Sequence, residues 1–414
     1  MKTILQAFCD SSGQTPNFQK SYILFSRNVD NNTKIAIKNI FPVLDLQPHT
    51  KHLGHPIIFS HNDRNRAYNF IYGKFKGKLT TARANKLNHA GRLTYIQSVL
   101  SSIPIYYMSM VLFSKSFLQK ITTIIRKFWW TGIQEDNPTN PIPFRSWNDI
   151  CQSKDNGGLG IKDLETVNKS LIIQAAYNIA TEKSPILTSV LKSKYFSNKS
   201  FWTANNKGPR SIFWSSIMQV KKELHNNVIF QIQAGNSSIW SSPWCPIWED
   251  IHNHLLLPVT TNPLPSTVSD HWLPNSHNWD NNLLMQTFDN IAVNEIYKLH
   301  PVPNNNQDIL RWKPANNGTC TTKAIYNHLA SNQIINLPSQ GSRSINSHTN
   351  QILKRAWKMK NLPPIIKTFA WRLIRRALPT AERASRYSTQ PDFNCAACGN
   401  IENDAHLFFQ CHLP

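Results

Sequence analysis

The strongest periodic signal lies between residues 117 and 129, where Phe117, Ile121, Ile124 and Phe128, flanked by Leu118, Ile125 and Trp129, recur every three or four positions. That spacing predicts a helix with one buried stripe, because such residues share a face of a 3.6-residue turn. Lys120 and Lys127 fall on its other side, a face suited to solvent or to a polyanion. Asn156-Gly157-Gly158-Leu159-Gly160 breaks the pattern before a second helix from Leu164 to Ala180. No strand is evident before these glycines and no Lys-Ser or Lys-Thr follows them, so they read as a turn and not as a phosphate cradle. Farther on, Pro363-Pro364 opens a third helix. Its apolar stripe is Ile366, Phe369, Ala370, Leu373 and Ala377, widened by Trp371, Ile374 and Leu378, with Thr368, Arg372, Arg375 and Arg376 on the opposite face. Pro379 ends it, and Thr380 is placed to cap another helix over 381–387.

Period-two alternation appears in Phe230-Gln231-Ile232-Gln233 and resumes in Ser238-Ile239-Trp240 across Gly235-Asn236, which predicts a β-hairpin. Pro243, Pro246, Pro258, Pro263 and Pro265 then mark an irregular connector. Residues 308–312 and 318–322 read as a second strand pair, followed by a helix over 323–330 and a polar loop over 331–351. The first sixty residues predict a short helix around Ile4 to Phe8, a turn at Ser12-Gly13 and a strand over 21–26. Such a piece would leave an edge and a helix face without partners, so it reads as the tail of a larger α+β domain. The expected class is α+β, mainly helical.

Composition bears on the partner. The 414 residues carry 45 Lys plus Arg against 23 Asp plus Glu, a net charge of +22 that attracts polyanions, nucleic acid first among them. The uncharged stretch between Arg92 and Lys115 holds Pro104 among Thr94, Gln97, Ser98, Ser101, Ser102 and Ser109, which argues against a bilayer span, so no membrane partner is expected. Nor does the start of the chain carry a long apolar run before a cleavage site, as a signal peptide would.

Of the 7 cysteines, Cys9, Cys151, Cys245 and Cys320 are scattered, whereas Cys395, Cys398 and Cys411 cluster. An odd count with one local group points to metal binding in a reducing compartment, not to a disulfide framework. Cys395-Ala-Ala-Cys398, seven residues, His406, four residues and Cys411 supply the thiolate and imidazole donors that tetrahedral Zn²⁺ prefers. Gly399 suits the tight backbone of such a knuckle. Four protein ligands leave no position for water, so the Zn²⁺ would be structural. The competing reading is a set of unrelated core thiols, and His412 is a rival ligand, disfavoured by its angle once Cys411 is bound. Phe408 and Phe409 are expected to pack on the Arg372 helix.

Trp357, residues 364–367, Phe369-Ala370-Trp371-Arg372, Ala377-Leu378-Pro379-Thr380 and the 395–411 constellation together resemble the reverse transcriptase zinc-binding domain found late in plant LINE-type (non-LTR) retrotransposon polyproteins. Residues 308–312 and 323–329 resemble its opening. Ala90-Gly91-Arg92-Leu93, residues 98–107 and 126–129, and Gly157 to Gly160 are similar to the thumb-like connection after the polymerase; Asn17 to Ser21 resembles a late palm motif and Leu53-Gly54 the primer-grip turn. Lys20 matches the lysine that the wider polymerase family places near departing pyrophosphate.

The resemblance implies a palm remnant over 1–60, a helical thumb-like region over 61–182, a mixed connector with a β-hairpin over 183–307 and the zinc-binding domain over 308–414. Polymerisation in that family needs paired aspartates on two Mg²⁺ ions, and no two aspartates adjoin in this chain, so the expectation is a truncated relative with no catalytic residues. The leading reading is a zinc-organised module that presents Lys367, Arg372, Arg375 and Arg376 to RNA or DNA. Its alternative is a structural or protein-interaction zinc module from a degenerate transposon. Residence in the nucleus would follow from the parent element's behaviour.

Overall fold

The computed structural model describes residues 2–26, 28–47, 50–57, 64–80, 86–132, 142–197, 199–205, 208–256, 265–335, 347–387 and 392–412. Its contacts divide the chain into a unit over 1–70 and a larger one over 71–414. In the first, Lys2–Ser12 and Asn31–Ile40 are helices, the latter opened by Asp30, whose carboxylate accepts from the Thr33 amide. Tyr22–Ile23 pairs in parallel with Leu44–Asp45. Lys51–His52 and His55–Pro56 form a hairpin whose two central residues, Leu53 and Gly54, both have left-handed φ (48° and 80°), the geometry a two-residue hairpin loop demands. Ile4, Phe8 and Ile35 of this unit stay exposed.

In the larger unit the amphipathic helix spans Lys115–Thr131. Ser114 caps it at the Phe117 amide and Gly132, at φ 75°, ends it. Phe117, Leu118, Ile121, Ile125, Phe128 and Trp129 are buried, while Lys120 and Lys127 face solvent. The Leu164–Ala180 helix is buried on most sides, because it packs against both Ile212–Asn226 and Thr322–Ile335. Asn168 sits within its core with every polar atom engaged: it accepts from the Phe113 amide (2.8 Å) and donates to the Met108 and Val111 carbonyls (2.9 and 2.8 Å).

The strands differ from expectation in their partners. Val228–Gln231 pairs antiparallel with Ile309–Trp312, from Val228 opposite Trp312 to Gln231 opposite Ile309, and neither pairs with its sequence neighbour. The expected Gly235-Asn236 turn instead wraps around Asp308, whose carboxylate accepts from the amides of Gln233 (2.6 Å), Gly235 (3.0 Å) and Ser237 (2.8 Å). Ser238 bridges Thr267. A carboxylate that satisfies three loop amides holds that loop more firmly than a local turn can. The 331–351 loop is shorter than expected at both ends, since helices occupy Thr322–Ile335 and Ser347–Lys358; its centre lies outside the described residues.

Two helices of the C-terminal segment rest on the central helical body. Ser347–Lys358 packs on the short turn Lys154–Asn156, and Pro364–Ile374 packs on His89–Ser98. The second contact corrects the expected helix face. Trp371, Ala377 and Leu378 of the expected apolar stripe are buried, but Thr368 and Arg375 of the polar face are buried with them, whereas Ile365, Ile366 and Phe369 are exposed at 51%, 47% and 41%. The neighbouring surface explains this shift of the buried face, for it offers polar acceptors. Trp371 Nε1 donates to the Gly157 carbonyl (2.9 Å), Arg375 meets Asp149 (3.4 Å) and Arg372 donates to His89 Nδ1 (3.2 Å). The fold is thus mainly helical α+β with small sheets. Among the described residues no helix is long and apolar enough to cross a membrane.

Candidate metal centre and basic surface

Backbone hydrogen bonds shape the knuckle. The Gly399 amide donates to the Cys395 carbonyl (2.9 Å) and the Cys395 amide to the Asn400 carbonyl (2.7 Å), which folds Cys395 and Cys398 to one side. Gly399 takes φ 74°, a conformation that disfavours a side chain. Asn394 bridges Ile401, closing the loop. Asn403 then accepts from the His406 amide (2.9 Å), and the turn His406–Gln410 brings Cys411 back, its amide on the His406 carbonyl (2.9 Å).

The result is that the Sγ atoms of Cys395, Cys398 and Cys411 and an imidazole nitrogen of His406 lie within 4.8 Å of one another. Cys411 Sγ is 3.9 Å from Cys398 Sγ, and His406 Nε2 is 3.2 Å from Cys398 Sγ. A tetrahedron with Zn–S and Zn–N bonds of ordinary length has edges of roughly 3.8 Å between sulfurs and roughly 3.5 Å between sulfur and nitrogen. The donor set therefore fits Zn²⁺ in both size and chemistry. His412 is exposed and outside the cluster, so Cys411 is the residue brought to the other three.

Charge supports the same reading. The backbone amides of Cys398 and Ala397, and then His406, draw the Cys395 thiol down to about 6, favouring thiolate. Burial instead pushes Cys245 and Cys320 up to about 12, and Cys151 upward as well. His406 and Cys395 are buried. Phe408 reaches Phe369 edge-on at 5.7 Å, as expected, but Phe409 remains 84% exposed.

The knuckle is tied to the preceding helix by residues that spacing could not single out. Thr380 occupies the N-cap of Ala381–Ala384, yet its hydroxyl makes no cap bond. Glu402 serves instead: its carboxylate accepts from the Ala381 amide (2.8 Å) and its carbonyl from the Glu382 amide (3.1 Å). Arg383 and Asp404 form a two-point ion pair beside it. A glutamate acting twenty-one positions away leaves no periodic trace in the chain.

The four expected nucleic-acid contacts do not share one surface. Arg375 is 4% exposed and engaged with Asp149, and Arg372 is half-buried against His89. Lys367 donates to the Trp357 carbonyl (3.2 Å), and Arg376 is exposed. The expectation that Arg375 faces a ligand is corrected, because its guanidinium closes an internal contact.

Residues 321–414 match the family described as zinc-binding in reverse transcriptase. Over 353 residues, 82% of this chain, the sequence is 25% identical to an Arabidopsis thaliana protein named "Putative ribonuclease H protein", of which the match covers 53%. Over 145 residues it is 28% identical to an uncharacterized mitochondrial protein of the same plant, covering 34% of this chain and 92% of that one. The chain thus spans about half the length of the first relative. These similarities relate it to retrotransposon-derived proteins, with a C-terminal segment of a zinc-binding family and a Cys₃His cluster suited to Zn²⁺.

Proposed function

We propose that this protein is a zinc-stabilised, nucleic-acid-binding part of a LINE-type reverse transcriptase that acts without a polymerase centre of its own. The observation that carries the reading is the convergence of Cys395, Cys398, His406 and Cys411 within a segment that matches the reverse transcriptase zinc-binding family. Those four side chains are its metal ligands, and bound Zn²⁺ supplies cross-linking of the fold with no open coordination position for chemistry. The excess of 45 basic over 23 acidic residues supports polyanion binding, and the lack of adjacent aspartates supports the absence of polymerase chemistry. In this reading residues 1–60, 61–182, 183–307 and 308–414 correspond to a palm remnant, a thumb-like region, a connector and the zinc-binding domain.

The test is RNA and duplex DNA binding by anisotropy across a salt series, with zinc content measured by atomic emission. The expected outcome is salt-sensitive binding that weakens on chelation, loss of zinc in Cys398→Ser, and no Mg²⁺-dependent primer extension. Salt-independent binding, or extension of a primer, would overturn the reading. A second reading, a protein-interaction module, is favoured by the exposed apolar face of Ile365, Ile366 and Phe369. It predicts that Cys398→Ser loses protein partners while RNA binding persists.

A further inference from the structure

Four guanidinium groups meet in a pocket of about 320 Å³ between residues 144–145 and the 376–387 stretch. Arg145, Arg376, Arg383 and Arg386 line it, together with a single carboxylate, Glu382. Glu382 takes Arg386 at 2.6 Å, and Asp404 takes Arg383. Among the described residues, Arg376, Arg383 and Arg386 converge here against two carboxylates, Glu382 and Asp404, which leaves a local surplus that attracts an anion. Arg376 is exposed and, among the described residues, has no carboxylate at ion-pair distance.

The backbone adds a separate observation. Arg376 holds φ 49°, a left-handed conformation that glycine adopts at lower cost. Its amide donates to the Leu373 carbonyl (3.0 Å), and Arg145 Nε donates to the carbonyl of Arg375, so the surrounding chain fixes this conformation from both sides. Strain retained for an arginine points to use of the side chain. Two rings complete the wall: Phe144, set edge-on to Trp130 at 5.8 Å, and Tyr387, which is 61% exposed. Guanidinium forks match phosphate oxygens, and an open phenol ring offers a face to a base.

We propose that this pocket binds a backbone phosphate of single-stranded nucleic acid, with Arg376 and Arg386 on the phosphate and Tyr387 stacked on an adjacent base. Arg383, fixed by Asp404, shapes the wall. The proposal rests on the nucleic-acid reading above and moves the contact from the buried Arg375 to this seam.

The test uses the full zinc-loaded chain and a labelled single-stranded oligoribonucleotide over a salt series. Arg376→Gly combined with Arg386→Gln removes both phosphate contacts, and glycine at this φ relieves strain, so folding is preserved. The expected result is an affinity loss of about tenfold and a log–log salt slope smaller by about 1, with zinc content unchanged and no fall in the unfolding midpoint. Tyr387→Ala is expected to weaken single-stranded binding more than duplex binding. Wild-type affinity and slope in the double variant would overturn the pocket while the broader reading stands. Equal losses on both substrates in Tyr387→Ala would overturn the stacking contact. Absence of binding by the wild-type chain at low salt would overturn both the pocket and the proposed function.

Discussion

Arg375 lies with its guanidinium 3.4 Å from the Asp149 carboxylate, their side chains only 4% and 11% exposed. Removing one member of a buried pair strands the other charge, which destabilises by about 3 kcal/mol. Arg375→Ala should therefore lower the unfolding free energy by about that much, measured by urea denaturation, whereas Arg376→Ala should change it by less than about 1 kcal/mol. Equal small effects would show that the buried pair contributes no stability. These neighbouring arginines, with such different roles, were both assigned by the sequence pattern to the polar face of the helix. What separates them is a carboxylate more than two hundred positions earlier and the left-handed turn at Arg376, neither of which residue type encodes.

At the scale of elements, the Asn156 to Gly160 turn joins the central body to the Pro364–Ile374 helix. Gly157 at φ 76° aims its carbonyl at Trp371, and a Cβ on Gly158 would meet the Gln152 carbonyl oxygen at 2.1 Å. Gly158→Ala should thus destabilise the protein by about 2 kcal/mol through overpacking. Urea unfolding followed by tryptophan fluorescence checks this, and a change below about 0.5 kcal/mol would mean that the turn yields freely. The glycine run was legible as a turn, as were the Lys115–Thr131 and Leu164–Ala180 helices, because turn chemistry and helical periodicity are local. Strand pairing was not. Alternation over 230–233 and the run over 308–312 mark strands close to the observed Val228–Gln231 and Ile309–Trp312, but their partnership requires closing a long loop, which no short window records.

Across the whole molecule, buried histidines contribute to acid sensitivity. Burial, with Arg372 and Arg92 nearby, brings His89 down to about 3; burial brings His271 down to about 4 despite Asp270 and Asp280. An unfolded chain protonates histidine near 6.5, so above that pH neither group affects stability. As pH falls below it, the unfolded state binds protons that the folded state refuses, and stability drops by about 1 kcal/mol per pH unit for each histidine. The effect of His271 ends near 4 and that of His89 near 3. Unfolding midpoints between pH 7 and pH 4.5 should fall accordingly, and less steeply in His89→Gln; an identical slope in that variant would remove His89 from the account. The Cys395, Cys398, His406 and Cys411 constellation, the basic charge and the helical segments were determined by the sequence alone, since donor spacing, net charge and periodicity are properties of a continuous stretch. Only the tertiary structure decided that part of the polar side of the Pro364–Ile374 helix turns inward, that Arg375 is spent on Asp149, and that Arg145 joins Arg376, Arg383 and Arg386 in one pocket. Each of those outcomes depends on which distant surface supplies a carbonyl, a carboxylate or a void, and that is settled when the chain packs.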